Sequence, residues 1–195
     1  MEGDAADRLA KEWEAAEPKS REEVEEFYRK TKNYIEDLKE WNSSKMWKDE
    51  AETVLRWLRK YECKRILDFG GGIGSFAKLA RDNGFECDYY EINEASIEYA
   101  RRMNGLEVAG DITKNYDAVV MLDVVEHLPE PEPILAAFNS YFIICNFHNY
   151  VDTPLHVFND KMALYGIMQR IGCREIERDG YLMLWRTFRS RQGGI

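Results

Sequence analysis

From Arg65 onward the chain alternates short apolar runs with stretches of helical period, and this alternation narrows the fold more than any other feature. "RILDF" (65–69) and "CDYYEI" (87–92) have strand character, "SFAKLARDNG" reads as a helix ended by Gly84, and "EASIEYARRMNG" as a second ended by Gly105. Further strands are expected at "LEVAGDI" (106–112), "YDAVVML" (116–122), "YFIICNF" (141–147) and "YLMLWRTF" (181–188), with a weaker one at "CREIERD" (173–179). Helices fall near 130–138 and 159–171. Strands alternating with helices imply a parallel sheet covered on both faces, and the unbroken apolar runs "AVVML" and "FIIC" agree with burial on both sides. Asp179 and Gly180 favour a tight hairpin, so the expected architecture is a doubly wound α/β fold whose mostly parallel, seven-stranded sheet carries a C-terminal antiparallel hairpin strand.

The first sixty residues are different: charge-rich, glycine-poor and helical in period. Ser20 and Glu23 form a capping box, and Val24, Phe27, Ile35, Leu38 and Trp41 lie on one stripe, which predicts a long amphipathic helix over about 21 to 41. "NSS" (42–44) breaks it and caps a further helix with Trp47, Ala51, Val54, Leu55 and Leu58 on its apolar face. A short helix fits before Pro18. The net charge of −9, with no concentration of Lys and Arg, disfavours nucleic acid as a partner. The N-terminus lacks the order of a signal peptide and no apolar run approaches the ~20 residues of a membrane span, so a soluble, cytoplasmic protein is expected. Cys63, Cys87, Cys145 and Cys173 are scattered without metal-ligand spacing and read as reduced, buried thiols.

"ILDFGGGIGSFA" (66–77) places Gly70, Gly71, Gly72 and Gly74 just after the first strand. In a doubly wound sheet, ligands bind beyond the carboxyl ends of the strands, and a glycine-rich first turn lets the backbone approach them. The dinucleotide fingerprint is G-x-G-x-x-G; here the spacing is G-x-G-x-G, Ser75 stands where the last dinucleotide glycine would be, and Asp68 precedes the loop. An acidic neighbour suits a cationic ligand better than a pyrophosphate.

"LDFGGGIG" resembles motif I of the class I S-adenosylmethionine-dependent methyltransferases, acidic-x-G-x-G-x-G, with Asp68, Gly70, Gly72 and Gly74 matching position by position and Gly71 between them. The resemblance covers about residues 62 to 188 and implies a Rossmann-like fold. It implies that the glycine loop admits the amino acid part of S-adenosylmethionine, and that Asp68 orients the loop or the ammonium group. Glu91, 21 residues beyond Gly70 and followed by Ile92, ends the second strand where an acidic side chain accepts from both ribose hydroxyls. By the same resemblance Asp111 holds the adenine amino group and Ile112 packs on the ring. "LDVVEHL" (122–128), with Asp123 and Val124 at the cofactor, looks like a motif of many small-molecule methyltransferases. Two departures stand out: the link from "GDI" to "YDAVV" is too short for a helix, and the usual glycine turn before the fifth strand is missing. In the family the N-terminal region often forms a lid, so residues 1–60 are expected to be a helical lid or extension on a cofactor-binding domain of residues 61–195.

His127 is the candidate catalytic residue, because an imidazole titrating near neutrality can take a proton from an acceptor as the methyl arrives; the competing reading makes it pocket lining. Glu126 reads as a solvated or structural partner. His148 and His156, with Asn146, Asn149 and Asp152, read as substrate contacts. Nothing in their spacing demands a metal, and none is expected. Tyr28, Tyr34, Trp41 and Trp47 seal the N-terminal helices, one or two of them facing the pocket. "RTFRSRQGGI" reads as a frayed tail. Without an Asn/Asp-Pro-Pro-aromatic motif or a Pro-Cys nucleophile, the expected reaction is methylation of an O or N atom of a small-molecule acceptor. The alternatives are a catalytically silent S-adenosylmethionine-binding scaffold and an NAD-dependent oxidoreductase.

Overall fold

The structure is a computed structural model and describes residues 4–31, 34–148 and 154–188. Four helices come first: α1 (Asp4–Ala16), α2 (Arg21–Lys30), α3 (Tyr34–Ser43) and α4 (Lys45–Lys60). The Ser20–Glu23 capping box and the Ser44 cap form as the sequence predicts. The long helix does not. Thr31 leaves the helical region at ψ 131° and its hydroxyl donates to Glu12 on α1 at 2.6 Å, so a residue of low helix propensity is claimed by a tertiary partner and the stripe is split into α2 and α3.

The remaining elements are β1 (Arg65–Phe69), α5 (Ser75–Asp82), β2 (Glu86–Tyr90), α6 (Glu94–Asn104), β3 (Asn115–Met121), α7 (Pro131–Ala137), β4 (Asn139–Asn146), α8 (Lys161–Arg170), β5 (Cys173–Asp179) and β6 (Leu182–Thr187), with a 3-10 turn at Val125–His127 after β3. They form one sheet in the order β2-β1-β3-β4-β6-β5. The pairs β1 with β2, β1 with β3 and β3 with β4 are parallel, while β6 runs antiparallel to both β4 and β5. The fold is thus the expected Rossmann-like α/β type, with six strands among the described residues, not seven. "LEVAGDI" makes a single bridge, Val108 to Tyr89, secured by Ala109 N–H to Tyr89 O at 2.7 Å. Gly110 follows, and Asp111 folds back on Thr113, which draws the chain out of the extended path before a ladder can grow. The hairpin turns through Gly180 and Tyr181, between paired Asp179 and Leu182.

Successive strand residues face opposite sides of the sheet. Ile66, Val120 and Ile144 meet Val54, Leu58, Phe76 and Ala77 on the α4 and α5 face, and Leu67, Val119 and Ile143 meet Leu135 and Leu164 on the α7 and α8 face. A separate small cluster of Leu9, Trp13, Val24 and Tyr28 closes on Leu155. All four cysteines are free and buried. Among the described residues no helix is long and apolar enough to cross a membrane. Strand order reverses between β1 and β3, so their carboxyl ends define a cleft beneath the N-terminal helices.

Candidate active site

The floor of the cleft is the glycine turn after β1. Asp68 is buried, and its Oδ2 accepts from Ala77 N–H in the first turn of α5 at 3.0 Å. A Cβ on Gly71 would sit 2.5 Å from that same oxygen, so only glycine lets the turn pass over the carboxylate. Gly74, at φ +78°, starts α5, and a Cβ there would meet Leu106 at 2.3 Å. The amides of Gly70 and Gly71 donate to Tyr90 O at 2.8 and 3.0 Å, tying the turn to β2. Burial pushes the Asp68 carboxyl up to about 7, against the pull of the Ala77 bond and with the charge of Glu91 adding to the rise.

Glu91, just past β2, is buried and accepts three backbone N–H bonds: from Gly72 at 2.8 Å, Ile92 at 2.7 Å and Asn93 at 2.8 Å. A carboxylate offers about four acceptor positions, so most of its capacity already holds the backbone of the cleft together. Burial raises it and those three bonds oppose the rise. Asn93 caps α6 and its Nδ2 donates to Tyr28 O and Thr31 O at 2.7 and 2.8 Å, which pins the end of α2 to the sheet. Sequence reasoning missed this link; Asn93 is visible there only as a helix cap.

At the end of β3, Asp123 adopts φ +54°. Its N–H donates to Asn146 Oδ1 at 2.6 Å, Asn146 Nδ2 donates to Asp123 Oδ1 at 2.9 Å and to Glu50 Oε2 at 3.0 Å, and Trp41 Nε1 donates to Asp123 Oδ2 at 2.7 Å. His148 Nε2 lies 3.3 Å from Asp123 and 3.5 Å from Glu50. Burial works against a charge on His148, but the bond to Glu50 and the Asp123 carboxylate outweigh it and raise its pKa. Asp123 is raised chiefly by burial, with His148 and Trp41 restraining it. Glu50 was also missed; its one signal in the sequence is an acidic residue between Trp47 and Val54 on the apolar face of α4.

His127 Nδ1 stands 3.0 Å from Leu155 O and 2.8 Å from the Tyr28 hydroxyl, which itself donates to Leu155 O at 3.1 Å. Only an Nδ1–H tautomer turns all three contacts into hydrogen bonds, which leaves Nε2 as the acceptor nitrogen. Burial, then the nearby His156, hold His127 down at about 4, so it is neutral at neutral pH. Glu126 is not solvated: it is 1% exposed, and burial followed by the Asp123 charge pushes it up to about 8.

These groups surround two adjoining cavities. The larger, about 330 Å³, is lined by Asp68, Gly70, Gly71 and Gly72, by Glu126, His148 and His156, and by Trp41 and Trp47. The smaller, about 290 Å³, is lined by Phe69, Tyr90, Glu91, Ile92, Ile112 and Val124. Tyr28, Tyr34, Gly70, Asp123 and His127 border both. All four N-terminal aromatics singled out from the sequence therefore reach the larger cavity, rather than one or two. Asp111 and Gly74 line neither: Asp111 is exposed and its Oδ1 accepts from Thr113 N–H and Oγ1–H at 2.8 and 2.7 Å. Asn149 and Asp152, and positions 189–195 of the tail, lie outside the described residues.

Solved structures with this fold include DesVI of Streptomyces venezuelae (TM-score 0.63, 14% identity, 78% of this chain and 97% of that one). A protein from Pyrococcus horikoshii OT3 matches with TM-score 0.57 and 17% identity over 83% of this chain and 98% of its own. Magnesium protoporphyrin IX methyltransferase (ChlM) from Synechocystis PCC 6803, solved with bound SAH, matches with TM-score 0.56 and 16% identity, covering 71% of this chain and 82% of that chain. At these identities the likeness is one of fold. The model of a methyltransferase domain family matches residues 20–145, from the capping box of α2 to the end of β4, and with the greater part of its length in that match the chain belongs to this family of methyltransferases.

Proposed function

We propose that this methyltransferase uses S-adenosylmethionine and methylates an oxygen or nitrogen atom of a small molecule held in the larger cavity. The observation that carries the reading is the pair of adjoining cavities that share Gly70, Tyr28, Tyr34, Asp123 and His127. The residues fit the cofactor. A turn that a Cβ at Gly71 would obstruct gives backbone access for an amino acid group, with buried Asp68 beneath it. Glu91 with Ile92, Ile112 and Val124 supplies one acidic and several apolar groups where a nucleoside would lie.

When bound, S-adenosylmethionine would supply a methyl group on a sulfonium, whose carbon an acceptor lone pair attacks as the C–S bond breaks and the thioether leaves. The protein then has to align, to exclude water and to accept a proton. Asp68 and the glycine turn, whose own amides are held by Tyr90 O and Glu91, would seat the amino acid end; Glu91 would meet the ribose through its remaining acceptor position, and Asp123 and Val124 close the wall between the cavities. Asp111 lies outside both cavities with its Oδ1 held by Thr113, and would meet an adenine amino group through Oδ2. His127, neutral and with its Nδ1 proton committed to Leu155, presents Nε2 to the proton leaving the acceptor. Residues 1–60 act as the lid, joined to the sheet by the bonds of Trp41 to Asp123 and of Asn93 to α2.

Calorimetric titration with S-adenosylmethionine, S-adenosylhomocysteine and NAD in parallel tests the reading. Binding of the first two with no heat from NAD is the expected result. Silence from both S-adenosyl compounds would overturn the assignment of the cofactor.

A further inference from the structure

We propose that Glu126, His127 and His156 form a binding site for a divalent first-row transition-metal cation in the wall of the larger cavity. Each of the three offers one ligand atom, and these atoms lie within 4.8 Å of one another. Ligands bound about 2.1 Å from one cation are roughly 3 to 4 Å apart, so small side-chain rotations close the set.

Two further observations point to a cation rather than to a chance gathering of polar groups. Glu126 is 1% exposed, yet its Oε2 has no hydrogen-bond partner among the described residues. A buried carboxylate oxygen left unpartnered is costly, and a cation in the cavity it faces removes that cost. His127 carries the second mark. Its Nδ1 is fixed by Leu155 O and the Tyr28 hydroxyl, which sets the ring and turns Nε2 to the other side, the arrangement by which outer partners orient a metal-bound imidazole. The His127 and His156 rings approach edge to face at 5.0 Å between centroids.

The other acid and histidine cluster, Glu50, Asp123 and His148, is different in kind. Its carboxylates are already met by Asn146, Trp41 and His148. Two imidazoles and one carboxylate suit Mn²⁺, Fe²⁺, Co²⁺ or Zn²⁺ better than the all-oxygen preference of Mg²⁺ or Ca²⁺, and three protein ligands leave positions open. Binding of the cation stands without the methyl-transfer reading; its use rests on that reading. With the cation bound, His127 Nε2 is a ligand and no longer the proton acceptor; an acceptor hydroxyl at an open position would then release its proton to solvent more readily and attack the methyl group as the anion, which favours an oxygen acceptor.

The test uses untagged full-length protein freed of metal with EDTA and dialysed, titrated with Mn²⁺ alone by electron paramagnetic resonance and with Co²⁺ alone by visible absorption. The wild type is expected to bind one equivalent, and His156→Ala and Glu126→Gln to weaken binding about tenfold or more. Melting temperature and S-adenosylhomocysteine affinity, read on the same samples, identify any variant that fails to fold. His156→Ala removes a half-buried side chain and is the variant on which the proposal stands. Absence of stoichiometric binding, equal affinity in a folded His156→Ala, or loss of binding in His148→Ala alone would overturn the proposal. S-adenosylhomocysteine binding reports separately on the methyl-transfer reading.

Discussion

The indole Nε1 of Trp41 donates to Oδ2 of Asp123 at 2.7 Å, and this bond joins α3 to the end of β3 across the larger cavity. Its acceptor is a half-buried carboxylate whose pKa is raised chiefly by loss of solvent, so the bond serves both the closure of the helices and the charge of Asp123. Hydrogen bonds to charged groups contribute about 1.5–3 kcal/mol. Trp41→Phe keeps an aromatic body against the core and removes only the donor. It is expected to weaken S-adenosylmethionine binding by roughly tenfold or more, with a small change in melting temperature. Calorimetry beside a thermal scan checks this; unchanged affinity would mean that α3 does not hold the cofactor in place.

Asp68 makes the site sensitive to pH. Its folded pKa, about 7, lies above the ordinary carboxylate value, so its contribution to stability is fully present below about pH 4 and is lost as pH rises through 7. Without ligand, the stability of Asp68→Asn relative to the wild type should therefore improve between pH 5 and pH 8. A cationic ligand beside Asp68 reverses the preference. S-adenosylmethionine should bind the wild type more tightly as pH rises from 6 to 8 and release a proton, seen as a buffer-dependent heat; Asp68→Asn should flatten both trends. A wild type and variant with parallel pH profiles would remove Asp68 from the cofactor's surroundings.

Alternation of apolar and helical runs after Arg65 was enough to place β1, β2, β3, β4, β5 and β6 and the helices between them, because each pattern follows from local period and burial. Where the sequence misled, a tertiary contact decided. "LEVAGDI" has strand composition, but an edge strand needs a ladder, and the turn of Asp111 onto Thr113 ends it after one bridge. The stripe from Val24 to Trp41 has helical period throughout, but Glu12 on α1 takes the Thr31 hydroxyl and divides it. The site divides in the same way. Asp68 and the glycines are legible because their spacing carries the chemistry, whereas Glu50, Asn93 and Tyr28 matter through partners 96, 65 and 99 residues away, which no local pattern encodes.

Glu91 holds the cleft as well as facing it. With three buried backbone N–H groups bonded to its carboxylate, Glu91→Ala leaves those donors without a partner, at about 1–3 kcal/mol each where water cannot reach them. The variant should melt well below the wild type even without ligand, in addition to binding S-adenosylmethionine weakly. Glu91→Gln retains one acceptor oxygen and should fall between the two. A thermal scan of the three proteins decides the matter: an unshifted melting temperature for Glu91→Ala would show that the amides of Gly72, Ile92 and Asn93 find other partners.

His127 and Tyr28 separate chemistry from positioning. His127→Ala removes Nε2 while leaving the Tyr28 bond to Leu155 intact, so the helical cluster of Leu9, Trp13, Val24 and Tyr28 should stay closed. Loss of a proton acceptor at the transfer point is expected to lower kcat by about 10²-fold or more with little effect on S-adenosylmethionine affinity. Tyr28→Phe should do the opposite. It keeps the imidazole but removes the hydroxyl that meets both Nδ1 and Leu155 O, loosening the ring and the helix together, so KM should rise and kcat should fall by less than in His127→Ala. Once an acceptor is found by screening small hydroxyl and amine compounds, steady-state kinetics of the two variants distinguish the roles. A His127→Ala enzyme of full activity would reduce the imidazole to a wall of the cavity, and identical profiles for the two variants would mean that His127 acts only through the closure it shares with Tyr28.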